Sequence, residues 1–174
     1  GCFSLSKSIA QTCPNGYTTA SLNWDAMAFL VQDASYVSAT IAQNQKFAFG
    51  KNQLTITHNY TSVNTFGDNT NHTGSAGSFG NGADVKFRGN GTITLTFETA
   101  VQNVNFSLYD IDYNQRVSVS ALNGLTAQAI TSLSRVSGSL LTISGSGTNT
   151  GIATAGNTYV DSTITDATVN INIL

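Results

Sequence analysis

Strict alternation of apolar and polar residues recurs from one end of this chain to the other, and it restricts the chain to half-buried β-strands. In FSLSKSI the apolar positions are Phe3, Leu5 and Ile9. In LTITHNY they are Leu54, Ile56 and Tyr60, and in GTITLTF they are Ile93, Leu95 and Phe97. Val104, Phe106 and Leu108 line one face of the next segment, Val117 and Val119 one face of the segment after it, and Val169, Ile171 and Ile173 one face of the last. A helix would need a period near 3.6, so runs of this kind cannot lay one apolar stripe along a helix. Between them lie CPNG, FGDN, GNG and SGSG, the residues that turns require. The pattern predicts an all-β fold, a β-sandwich or jelly roll of about ten short antiparallel strands in a single domain over 1–174. At most one short helix is expected, in WDAMAFLVQD, where Asp25 falls early in the first turn and suits the helix dipole.

Two stretches interrupt the alternation. Ser62 to Gly91 is rich in Gly, Asn, Ser and Thr and reads as a long loop, with Phe66, Asp68, Phe79 and Asp84 as the residues able to make a binding surface. Ser144 to Asn157 reads as a wide turn around a brief strand, Gly151 to Thr154. Neither recurs at a fixed period, so the chain is no solenoid.

The chain has seven basic and nine acidic residues, a formal net charge of -2. That leaves no cationic surface for a phosphate backbone and argues against nucleic-acid binding. Its solubility rests on Ser, Thr, Asn and Gly, a bias that suits a secreted or surface protein. The longest apolar run, AMAFLV from Ala26 to Val31, is far short of the roughly 20 residues needed to cross a bilayer. No membrane span is expected.

The two cysteines, Cys2 and Cys13, flank FSLSKSIAQT. They can pair with each other, pair across chains, or remain reduced and buried. An intrachain disulfide is the expectation, worth about 3 kcal/mol for so short a loop and needing an oxidising compartment. The chain opens without an initiator Met, a basic segment or an apolar leader, the appearance of a mature secreted protein.

Catalytic motifs are sparse. The cysteines and the two histidines, His58 and His72, are too scattered for a Cys/His metal site. His58 shares the face of Leu54 and Ile56 and reads as a core or rim residue. No G-x-S-x-G elbow occurs, and GSAGSFGNG lacks the Lys-Ser/Thr pair of a phosphate cradle. Asp84, Glu98, Asp110 and Asp112 could supply paired carboxylates for glycoside hydrolysis, but one Trp, Trp24, and no Tyr cluster make a poor sugar-stacking groove. No enzymatic activity is expected. Four N-x-S/T sequons, at Asn59, Asn71, Asn90 and Asn105, are unremarkable in so Asn- and Thr-rich a chain.

Asp110 and Asp112 are the charged residues that demand an explanation. Continuing the parity of Val104, Phe106 and Leu108 aims both at the core side where the strand ends. Three partners are open to them: Arg116 across a tight turn, backbone N–H groups in an Asx turn, or calcium, with Asp68, Asp84, Asp161 and Asp166 available to complete an oxygen shell.

At this stretch, TITLTFETAVQNVNFSLYDID followed by RVSVSALNG, Thr92 to Gly124, resembles a segment of secreted and surface-anchored bacterial β-sandwich domains. These include modules of large adhesins and of exopolysaccharide-associated proteins. Such domains often carry a longer D-x-D-x-D turn, where this chain has DIDYNQR. The resemblance implies a non-catalytic, extracellular, adhesive or structural role.

Two functions follow as expectations. One is a subunit or module of a bacterial surface fibre or layer, self-associating through β-strands. The other is an adhesin module that binds glycans with calcium at Asp110 and Asp112. For the first, the terminal segments are the natural assembly strands: FSLSKSI carries one lysine and ATVNINIL, Ala167 to Leu174, no charge. Phe3, Leu5, Ile9, Val169, Ile171 and Ile173 are therefore expected on strands lying at sheet edges, open to β-augmentation.

Overall fold

The computed structural model describes residues 2–3, 16–20, 43–60, 63–66, 84–87, 89–160 and 165–174. Among these the fold is all-β: fifteen strands and a single 3-10 turn at Thr165–Ala167, with no α-helix. The segment WDAMAFLVQD lies outside the described residues. The strands outnumber the expected ten because several are only two or three residues long.

The best-defined unit is a sandwich of two three-stranded antiparallel sheets. One sheet has the order β12 (Ile130–Arg135), β15 (Val169–Ile173), β8 (Val104–Leu108). The other has the order β13 (Leu141–Ser144), β14 (Gly151–Ala155), β9 (Arg116–Val119). β8 pairs with β15 and β9 with β14, the nested pairing of a jelly roll. The alternation read from the sequence is what fills the space between the sheets. Val169, Ile171 and Ile173 of β15 meet Ala153 and Ala155 of β14, flanked by Ile130, Leu133 and Leu141. Small residues on β14 let the sheets approach: a Cβ at Gly151 would stand 3.1 Å from Leu133 Cδ2 and 3.3 Å from Ile130 Cγ2.

β12 departs from strict alternation. Ile130 and Leu133 are three apart, yet both are buried, because the register with β15 shifts between Ile130 and Ser132. The extra residue, Thr131, rotates the strand so that both apolar side chains reach the core. The β13–β14 connection folds back over this strand, with Ile130 N–H donating to Thr148 O and Gly147 N–H to Ile130 O, each at 2.7 Å.

Ala167 to Leu174 does not form a sheet edge. β15 is the central strand of its sheet, paired on both sides, and Val169, Ile171 and Ile173 are buried. An alternating strand without charge is what a strand with one face on the core and neighbours on both sides requires, so the signal taken for an unprotected edge belongs to the interior. At the other terminus, β1 (Cys2–Phe3) pairs in parallel with β2 (Thr19–Ala20). Leu5, Ile9 and Cys13 lie outside the described residues.

The remaining strands form smaller sheets. β3 (Gln45–Phe49), β4 (Asn52–His58) and β7 (Ile93–Phe97) make an antiparallel sheet with β4 central. Phe47, Leu54 and Ile56 are buried on its apolar face, whereas Leu95 is 36% exposed. Side-chain amides finish the central strand where backbone runs out. Asn52 Oδ1 accepts from Thr99 N–H at 3.1 Å while its Nδ2 donates to Thr99 O at 2.8 Å. Gln43 brackets the N–H and C=O of His58 in the same way. β5 (Val63–Phe66) and β6 (Asp84–Phe87) pair inside the stretch read as a long loop. β10 (Ala121–Asn123) and β11 (Thr126–Gln128) form a hairpin whose Gly124, at φ 59°, opens a two-residue turn.

Candidate functional site

The corner between β8 and β9 is the most specifically built polar region of the sandwich. The strand alternation ends at Leu108, and Asp110 takes a left-handed backbone conformation, φ 57°, which Asp tolerates better than most residues. The parity predicted for both aspartates is broken there: Ile111 inserts into the core, and its N–H donates to Ala167 O at 3.0 Å. Asp112 is nevertheless buried, 4% exposed, and its Oδ2 accepts the N–H of Val160 at 2.9 Å. Of the three partners open to it, a backbone N–H is the one found, although from residue 160 and not from its own turn. Arg116 is exposed on β9 opposite Thr154.

The tight turn that follows spans Asp112 to Gln115. Gln115 N–H donates to Asp112 O at 2.9 Å, and Tyr113 and Asn114 both have positive φ, 41° and 63°, the arrangement of a type I′ turn. The turn is stitched to the segment after β14. Tyr113 N–H donates to Thr158 O at 3.0 Å, Asn114 N–H to Gly156 O at 2.9 Å, and Asn114 Nδ2 to Asn157 Oδ1 at 2.9 Å. Tyr113 and Tyr159, 60% and 79% exposed, therefore project from one end of the sandwich, on either side of an amide pair. These two tyrosines were missed in the sequence, because 46 positions separate them and nothing local marks their approach.

The other predicted residues are distributed elsewhere. Phe66 and Asp84 are register partners at the open end of β5–β6, so the structure brings these two backbone positions together. Asp68, Phe79 and Asp161 lie outside the described residues. Asp166 accepts from Ser137 Oγ at 2.5 Å, and a Cβ at Gly138, φ 60°, would collide with its carboxylate. Glu98 is exposed after β7, its N–H donating to Gln53 O at 2.9 Å. Among the described residues no three His, Cys, Asp or Glu side chains are grouped to hold a metal ion. Nor is any described helix long and apolar enough to cross a membrane, which says nothing of strands.

Comparison with known proteins finds no matching family model, no matching curated protein and no matching solved structure.

Proposed function

We propose that this chain is a non-enzymatic, extracellular structural or adhesive protein, a subunit or module of a bacterial surface fibre or layer assembled through β-strand contacts. The observation that carries the reading is the edge strand β7, ITLTF, which has no charge and no Pro and whose central residues Thr94, Leu95 and Thr96 are exposed. Soluble monomers usually blunt such an edge. Composition and the resemblance of Thr92 to Gly124 to surface β-sandwich domains support the same role. The Cys2–Cys13 disulfide belongs to this proposal, and intact mass before and after reduction and alkylation tests it. The assembly itself is tested by sedimentation and electron microscopy of purified protein. Concentration-dependent oligomers or filaments are expected; a monomer at every concentration overturns the reading.

One observation favours a second reading, a glycan-binding adhesin module assisted by calcium. Tyr113 and Tyr159 offer rings for stacking on a sugar, and the Asn114–Asn157 pair offers amides for its hydroxyls. Retention on a glycan array that needs calcium and is lost in Tyr113→Ala and Tyr159→Ala would support it. No retention, with or without calcium, would end it.

A further inference from the structure

The interior position of β15 leaves open which strand carries an assembly contact, and the bonding of β7 answers it. Glu98 N–H donates to Gln53 O at 2.9 Å and Asn59 N–H to Thr92 O at 3.2 Å. These two contacts fix the phase of the ladder with β4. In an antiparallel pair, bonded and non-bonded positions alternate. The peptides of Thr92, Thr94, Thr96 and Glu98 therefore face β4, while those of Ile93 and Leu95 point to the outer edge, which no described strand pairs. The side chains of Ile93, Leu95 and Phe97 share the face of the buried Leu54 and Ile56.

Other edges are less available. β12 is covered by the β13–β14 connection and β13 lies against β12. β1 lies against β8, β9 carries Arg116, and β3 carries Lys46.

We propose that β7 pairs antiparallel with β7 of a second copy of this chain about a two-fold axis at Leu95. This rests on the strand-assembled reading above and names its contact. The occupant follows from the sequence of the strand, because Ile93–Phe97 is self-complementary when reversed. Leu95 stands opposite the partner's Leu95, Ile93 opposite the partner's Phe97, and Thr94 opposite the partner's Thr96. The outward peptides of one strand meet those of the other, apolar side chains meet on one face and threonines on the other. An isologous contact of this kind needs one patch that complements itself. Slipping the register toward the C-terminal end shortens the overlap and brings the two Glu98 carboxylates together, which selects the Leu95-centred pairing.

The test is sedimentation of the full chain and of Leu95→Lys, with circular dichroism to establish that the variant is folded. Two ammonium groups opposed across the axis should weaken association by about tenfold or more. Leu95→Cys should form a disulfide-linked dimer under mild oxidation, over a wild-type background, whereas Thr94→Cys should not, because its counterpart is the partner's Thr96. This second pair of variants decides the matter if Leu95→Lys fails to fold. Leu125→Lys, at the fully exposed tip of the β10–β11 hairpin, should leave association unchanged. Association that survives Leu95→Lys, or that Leu125→Lys abolishes instead, overturns this contact and leaves the assembly reading intact. A wild-type chain that stays monomeric overturns both.

Discussion

A carboxylate taken out of water must be compensated, and at Asp112 the compensation comes from the Val160 N–H. Removing one partner strands the other, so the cost of Asp112→Ala is the desolvation of a buried N–H, about 1–3 kcal/mol. Thermal or denaturant unfolding should show that loss, while Asp112→Asn, which keeps an oxygen at the site, should lose less. If the amide rather than calcium is the partner, a chelator leaves the melting temperature of the wild type unchanged; a fall on chelation would show a bound cation, since a ligand held only by the native state raises stability. The importance of this aspartate was legible in the sequence because two charges stood at the end of an apolar strand. Its partner was not, because Val160 is 48 residues away and strand parity gives no account of the left-handed Asp110 between them. Gly138 makes a similar point. Its φ of 60° and the adjacent Asp166 carboxylate together exclude a side chain, so Gly138→Ala should cost about 1–3 kcal/mol, whereas an alanine at Gly124, with nothing near its Cβ, meets only the φ penalty. Equal losses in the two variants would show that the Asp166 contact contributes nothing.

At the scale of elements, regular strands were legible and irregular ones were not. β8, β9, β14 and β15 follow their period-two pattern with the predicted face inward. β12 escaped notice because ITSLSR is out of phase by one residue until the bulge at Thr131 restores it. Deleting Thr131 would force either Ile130 or Leu133 out of the core, and burying neither costs less than several kcal/mol for side chains of this size. The deletion variant should therefore unfold at much lower denaturant than Thr131→Ala, which keeps the count of residues; similar midpoints for the two would mean that the bulge does not set the register. β15 was legible as a strand and misplaced as an edge. An alternating pattern reports which face of a strand is buried, but it carries no information on whether one edge or both are paired. Ile171→Ala, in the middle of that central strand, should cost about 2–5 kcal/mol, against less than about 0.5 for Leu125→Ala at the exposed hairpin tip.

For the molecule as a whole, the two strands that matter most differ in how their backbone amides are protected, and this difference makes the assembly proposal measurable without any mutation. β14 and β15 lie at the centres of the two sheets that enclose the core, so their N–H groups are released only when the sandwich opens, and they should exchange with solvent slowest. The Ile93 and Leu95 amides face outward at the edge of β7 and should exchange rapidly in a dilute, monomeric sample, while those of Thr94 and Thr96, bonded to β4 in the same strand, exchange more slowly. Raising the concentration separates two outcomes. If β7 joins β7 of a second copy, the fast pair becomes protected together and the inner pair changes little, because pairing satisfies only the outward peptides. Protection that grows instead at the 112–115 turn or at the β10–β11 hairpin would move the contact to the tyrosine end or to the leucine tip. Protection at none of these sites, with sedimentation showing a single small species, would leave a β-sandwich whose uncharged edge has no partner in its own kind.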